Sequence, residues 1–480
     1  MARGAKWKTV LWCVGIAAVV LLLCSKSSPL FVFNDWMDAN AFFTMGKSLF
    51  SGEVLYRDVF DHKGPVLHLI YGIGFLLDHT GFTGIFLLET AALAVVLALG
   101  LRTASLLANR SLHPAWVVVP AAGIAASRAF SHGGSAEEFM LPLLAAALYG
   151  LLKTLCKKHP MSLPSVLLQG FLAGCALWLK YTVLGFYLGW VLVLTVLYFK
   201  RRMYRELAQS CGAYLAGMAL ATLPWVVYFG IHDALDDWFI CYFYDNLFLY
   251  SGNGGGPLAL IQHLWWAVRD AAPVAVLAAL FLVWCLIGRR YAEAGAVLVL
   301  GAGLACTSLA GGYYQYYGLI FSVFAPLGLA LLAQIAERLQ SRPLANAAPW
   351  LGLGAALLFC WCLSPNKNLR GRDPDTLPQL RFARTITADP QASLLNYGTL
   401  DGGFYTAAGL LPPGRYFYIS NMPLEEQWTE QNGLLEQGAV TYVVALVDDL
   451  AERFPRYRCI DQCSYDGGEG TVTWYLYQRQ

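Results

Sequence analysis

Residues able to move a proton or hold a charge crowd into residues 34–65, NDWMDANAFFTMGKSLFSGEVLYRDVFDHKGP, among them Asp35, Asp38, Asp58, Asp61, His62 and Lys63. Hydrophobic blocks flank them on both sides, and charges kept beside a bilayer are costly and mark function. Carboxylates come first and a cation follows. That order suits deprotonation of a hydroxyl next to an anionic leaving group, with a base for the hydroxyl and a cation for the departing charge.

Asp35 and Asp38 are three residues apart, so a helix starting near Trp36 places them on adjoining faces. Trp36, Ala39, Phe42, Phe43, Met45, Leu49 and Phe50 give that helix an apolar side for the outer membrane surface. Helix capping is the plain alternative for the two aspartates. Lys63 stands at the entry of the next apolar segment, with Gly64 and Pro65 behind it. A helix N-terminus favours phosphate; the plain alternative is an interfacial anchor. Glu137 and Glu138 in HGGSAEEFMLP open a later span and would hold a cation or substrate, or simply suit a first turn. Arg128, Lys180 and Arg269 are further outward cations, and Tyr313, Tyr314, Tyr316 and Tyr317 form an aromatic loop, GGYYQYY, on which a sugar or isoprenoid could stack.

The elements that position these groups belong to a membrane. The chain has 480 residues, 57% hydrophobic and 13% charged, against about 25% charged in soluble domains. A span needs about 20 apolar residues, and eleven are expected near 9–29, 83–104, 114–131, 138–154, 162–179, 181–199, 208–229, 271–288, 292–309, 317–335 and 346–363. Basic residues gather on every second loop: Arg3, Lys6 and Lys8; Arg102 and Arg110; Lys153, Lys157 and Lys158; Lys200, Arg201, Arg202 and Arg205; Arg289 and Arg290; Arg338 and Arg342. The positive-inside rule puts these in the cytoplasm. A plasma-membrane protein with a cytoplasmic N-terminus and an outward C-terminus is therefore expected. Residues 64–79 are read as a short helix in or dipping into the outer face, because a crossing there would invert every later basic loop.

Residues 1–363 form the expected transmembrane domain and 364–480 an extracytoplasmic α/β domain. After the polar stretch NKNLRGRDPDTLPQ, the tail reads as strand (SLLNYG), short helix (GGFYTAAG), strand (RYFYI), helix (LEEQWTEQNGLLEQG), strand (VTYVVALV) and strand (TVTWYLYQR). Cys459 and Cys463 could pair on the outer side. No CxxC metal pattern is present.

The order of DANAFFTMGKSLFSG, YRDVFDHKGP, a dipping segment and an acidic pair after the third span resembles the GT-C class of membrane glycosyltransferases. The branch is that of bacterial homologues of protein O-mannosyltransferases and lipid A aminoarabinose transferases. The likeness covers the first 150 residues well, the later spans by layout and the tail loosely. The resemblance implies a mainly α, polytopic GT-C fold with about eleven transmembrane helices, outer-face interfacial helices and a small α/β tail. It implies a polyprenyl-phosphate sugar donor and transfer on the outer face to an envelope glycan, lipid or protein acceptor, with membrane lipid as surroundings and no nucleic acid. The family's catalytic aspartate falls on Asp38, its donor-phosphate lysine on Lys63, and its second acid on Glu137 or Glu138. Arg57 and Lys180 are expected to assist Lys63, with Asp35, Asp58, Asp61 and His62 supporting. Relatives often carry a His–Tyr pair where this chain has Tyr316–Tyr317. No cofactor is expected, and no D-x-D motif in the relevant loops calls for a divalent metal. A glycan polymerase or ligase using the late loop 230–270, or a transporter or flippase, is the alternative; the absence of an internal repeat argues against the transporter.

Overall fold

The computed structural model describes residues 3–157, 159–250, 256–339, 344–467 and 470–480. Lys158, Arg342 and residues 251–255 of the late loop lie outside the described residues. In lipid a backbone must satisfy itself, which long apolar runs do by helix formation. Each of the eleven expected spans coincides with helical structure.

Seven helices among the described residues are long and apolar enough to cross: Trp7–Cys24, Thr83–Ala108, Ala136–Lys157, Tyr181–Lys200, Tyr204–Ile231, Tyr291–Ser308 and Gln315–Leu332. An eighth is present if Gly256–Asp270 and Ala272–Ile287, bent by 98°, count as one broken span. By length and composition alone seven or eight spans qualify among the described residues, which leaves the count of about eleven unconfirmed. Pro114–Ala125 and Leu163–Leu177 are shorter apolar helices, and the helix Leu344–Leu363 covers the last expected span. The 114–131 run breaks because it opens as a 3-10 turn, Pro114–Val117, continues as Val118–Ala125 and ends before a left-handed Ser131. The 64–79 segment is a short helix, Pro65–Leu77, as its length implied.

The chain packs as two units. The first comprises Met1–Ser25, Leu87–Pro224 and Asn253–Asn368. Its helices cross at small residues: Gly185 and Gly303 bring the Leu184–Lys200 and Tyr291–Ser308 helices so close that a Cβ on either would collide with the other's backbone. Backbone contact through small residues is the usual packing of helices in lipid, where apolar burial gives no drive.

The second unit comprises Lys26–Phe86, Trp225–Gly252 and Leu369–Gln480. The tail expected as a domain of its own is thus one of three segments of a larger body. Its sheet has the order β1-β2-β4-β3, with β1 (Leu394–Tyr397), β2 (Tyr442–Ala445), β3 (Tyr457–Asp466) and β4 (Thr471–Arg479). β1 and β2 pair in parallel and the other pairs are antiparallel. Both parallel strands are buried throughout, which suits their apolar sequences.

The expected strand at 415–419 does not form. Phe417 and Tyr418 are both buried, but the segment pairs with no strand of the sheet. Their neighbours bond singly instead, Ile419 N to Thr399 O and Tyr416 N to the Glu430 carboxylate. Two further elements, the Pro378–Thr387 helix and β3, lie where no element was expected. Cys459 and Cys463 are both free. They sit on one strand, four residues apart, a span of about 13 Å at ~3.3 Å per residue, and a disulfide needs Cα atoms within about 7 Å.

Within this unit the Met37–Phe50 helix crosses Pro65–Leu77 at Gly46 and Gly72, again backbone to backbone. The tail grips the same helix. Thr44 Oγ1 donates to Asp401 Oδ2 at 2.7 Å, and the buried Lys47 ammonium donates to the carbonyls of Tyr405, at 2.8 Å, and Leu410.

Candidate active site

Asp38 sits in the first turn of the Met37–Phe50 helix, half-buried. It does not cap that helix: the N-cap is Trp36, whose amide donates to Asn34 Oδ1 at 3.1 Å. Asp35 is committed elsewhere, in a buried ion pair with Lys26 at 2.6 Å. The two aspartates separated by three residues therefore have different surroundings.

The FDHKGP turn is held from several sides. Tyr56, buried and in the left-handed conformation at φ 69°, donates its hydroxyl to Lys63 O at 2.6 Å. A bulky residue at positive φ is uncommon, and such backbones persist where the surroundings over-determine them. Asn246, on the π-helix Ile240–Tyr250, donates to His62 O at 2.7 Å. Long π-helical runs are rare and recur at functional sites.

Asp61 is the meeting point. Its Oδ1 accepts from His62 N at 2.6 Å and from the Tyr418 hydroxyl at 3.0 Å, while His68 Nε2 faces its Oδ2 at 3.5 Å. Burial opposes charge on Asp61, but the two imidazoles of His68 and His62, the Lys63 ammonium and the His62 amide all favour its charged form, so its carboxyl lies below the ordinary range. His68 is fully enclosed, and burial drives it down to about 4 in spite of Asp61. A neutral His68 offers Asp61 no charge, so both effects cannot act at full strength together. The two short hydrogen-bond donors on Oδ1 favour an ionised Asp61 beside a neutral His68. Tyr418 is pushed well above its ordinary value by burial first, then by the charges of Asp61, Asp38 and Asp401. The phenol thus sits in the field of three carboxylates, the first-turn Asp38 among them.

Lys63 Nζ meets His62 Nε2. The Tyr250 ring lies 5.1 Å from the His62 ring and 5.8 Å from the Lys63 ammonium. Arg57 is otherwise engaged: its guanidinium pairs with Asp58 at 2.8 and 2.9 Å and donates to His232 O at 2.7 Å. Asp58 also accepts from Val54 N at 2.7 Å, and the Arg57 bonds hold it below the ordinary carboxylate range.

In the first unit, Lys180 Nζ bonds Glu137 Oε1 and lies 3.9 Å from the Tyr317 ring centroid and 5.9 Å from that of Tyr316. Glu137 Oε2 is buried without a hydrogen-bond partner. Glu138 folds back on its own loop instead, accepting from Gly134 N at 3.0 Å. Of the acidic pair, Glu137 holds a cation and Glu138 holds the turn. Tyr313 donates to Asp270 Oδ2 at 3.0 Å, and Tyr314 stacks on Tyr316. Asp270 also pairs with Arg269 at 2.9 Å and faces Arg128 at 3.9 Å. No group of three or more His, Cys, Asp or Glu suited to a metal occurs among the described residues.

Sequence reasoning missed Tyr418, Tyr56 and Asn246 as site residues and treated His68 as part of an apolar run. A histidine inside such a run was the available signal. Tyr418 lies 357 positions from Asp61, and no local pattern connects them.

These features define a class: an integral membrane protein with the GT-C fold. Two crystal structures of ArnT from Cupriavidus metallidurans share the fold along nearly the whole chain. One is bound to undecaprenyl phosphate: TM-score 0.65, 14% identity, covering 99% of this chain and 98% of that one. The other is the apo state, with the same score and identity and 98% of each chain covered. No family model and no curated protein matches the sequence.

Proposed function

We propose that this chain is a membrane glycosyltransferase that moves a sugar from a polyprenyl-phosphate carrier to an acceptor hydroxyl on the outer face of the membrane. The observation that carries the proposal is the linkage within one packed unit of Asp38, whose charge reaches Tyr418, of Tyr418, which donates to Asp61, and of His62 and Lys63, which follow Asp61 in the same turn and whose charges act on it. The whole-length fold shared with an ArnT structure holding undecaprenyl phosphate supports the choice of carrier.

Asp38 takes the proton of the acceptor hydroxyl as its oxygen bonds to the anomeric carbon. The bond from that carbon to the phosphate oxygen breaks, and its electron pair leaves with the carrier. The singly charged diester becomes a monoester with one more negative charge, which Lys63 offsets. One direct displacement inverts the anomeric configuration. Lys63 is taken as the phosphate cation because it stands in the turn that carries Asp61 and His62; Arg57 pairs with Asp58 and Lys180 with Glu137.

The test is transfer from labelled polyprenyl-phosphate sugars in membranes carrying wild type, Asp38→Asn or Lys63→Ala. Removal of a general base costs about 10²–10⁴-fold, so Asp38→Asn should lose kcat by that order while donor KM holds. Lys63→Ala should raise donor KM. Undiminished transfer by Asp38→Asn would remove it as the base, and no transfer by wild type across several donor sugars would favour a transporter.

A further inference from the structure

The contact between Lys63 and His62 has a chemical consequence. An ammonium has three donors and no acceptor, so the Nε2 atom that Lys63 meets presents a lone pair. A histidine accepting at Nε2 is neutral and carries its proton on Nδ1. That nitrogen lies 3.4 Å from Asp61 Oδ1, an electrostatic contact rather than a hydrogen bond, and a proton there meets the carboxylate where a lone pair would be repelled by it. The side chains therefore line up as carboxylate, imidazole and ammonium, in the order Asp61, His62, Lys63.

The assembly is braced from three elements. Tyr418 of the tail and the His62 amide hold Asp61 Oδ1. His68, on the Pro65–Leu77 helix, faces Asp61 Oδ2. The π-helix supplies Asn246 to the His62 carbonyl and the Tyr250 ring to both His62 and Lys63. A flexible four-carbon amine is fixed less by its own rotamers than by what receives it.

We propose that His62 is the positioning residue of the donor-phosphate cation: a neutral imidazole, biased toward the Nδ1–H tautomer by the Asp61 carboxylate that faces it, whose Nε2 keeps the Lys63 ammonium where phosphate will arrive. Tyr418 acts one step further back by fixing Asp61. This assignment rests on the reading of Lys63 as the donor-phosphate cation, but the tautomer is a property of the protein alone.

The experiment has two arms. In the first, protein labelled with ¹⁵N-histidine is examined by NMR near neutral pH without donor, and the His62 signals are identified by their loss in His62→Gln. The expected pattern is a protonated Nδ1 and an unprotonated Nε2, shifting toward the other tautomer in Tyr418→Phe. An Nε2–H tautomer or an imidazolium overturns the proposal.

In the second arm, undecaprenyl phosphate is titrated into wild type, His62→Gln and His62→Phe. Gln retains a carbonyl acceptor and Phe has none. A hydrogen bond to a charged group implies about a tenfold loss of affinity for His62→Phe and substantial rescue by Gln. Equal affinity in all three overturns the positioning role. If wild type binds no undecaprenyl phosphate, the carrier reading fails, while the tautomer measured with and without Lys63→Met still decides whether His62 receives Lys63.

Discussion

Asp401 shows what a single buried carboxyl costs in this protein. It accepts from Thr44 Oγ1 and from Gly403 N at 2.9 Å, yet burial lifts it to about 6 against those bonds and the charge of Lys47. A folded pKa above the unfolded value contributes stability that is fully present below the unfolded pKa. It is lost as pH rises through the folded one. Between about pH 4 and pH 6, Asp401 should therefore cost stability by roughly 3 kcal/mol. Paired carboxylates such as Asp58 and Asp61 act in the opposite direction, since their folded pKa is lowered. The contribution is isolated as a difference: thermal unfolding from pH 4 to 7 should show Asp401→Asn gaining on wild type as pH rises. A constant offset between the two would show that Asp401 does not titrate in that window.

At the scale of elements, the crossing of Met37–Phe50 and Pro65–Leu77 positions both ends of the proposed chemistry, since Asp38 opens one helix and Lys63 precedes the other. A Cβ at Gly46 would come under 3.0 Å from backbone atoms of Gly72, Tyr71 and His68, with no flexible side chain to yield. Gly46→Ala should destabilise by about 1–3 kcal/mol and lower transfer through misplacement of Asp38. Gly212, inside Tyr204–Ile231, meets nothing within 4 Å, and Gly212→Ala should be neutral or stabilising by up to about 1 kcal/mol. Thermal melts of the two variants compare crowding with helix propensity directly. Equal effects would mean the crossing is loose.

On the scale of the molecule, the tail belongs to the unit that contains the candidate site. Residues 369–480 supply the acceptors for Thr44 and Lys47, the Arg415 carbonyl that receives Phe60 N at 2.9 Å, and the Tyr418 hydroxyl on Asp61. Removal of the tail would leave the Lys47 ammonium without the carbonyls that compensate its burial, which already brings it down to about 8. A chain ending at Asn368 should insert into membranes but lose undecaprenyl phosphate affinity by more than about tenfold. Binding at wild-type affinity by that chain would show the tail to be dispensable for the donor pocket.

Sequence alone determined the features that depend on neighbours in the chain. Apolar runs placed the helices, the FDHKGP turn put His62 beside Lys63, and local patterns located β1, β2, β4 and the Phe404–Ala408 and Glu425–Gln437 helices. Apolar runs do not by themselves decide how many helices cross, because composition does not reveal where a 3-10 turn interrupts a run. Which charges are committed is a tertiary matter. Asp35 is taken by Lys26, Lys180 by Glu137 and Glu138 by its own turn, while Asp61 waits for a tyrosine from the far end of the chain. An ionisable side chain does its work through the partner that faces it. Asp35, Asp58 and Glu138 find that partner within ten residues, whereas for Tyr418 on Asp61, Asn246 on His62 and Glu137 on Lys180 it is chosen by packing between segments far apart in sequence.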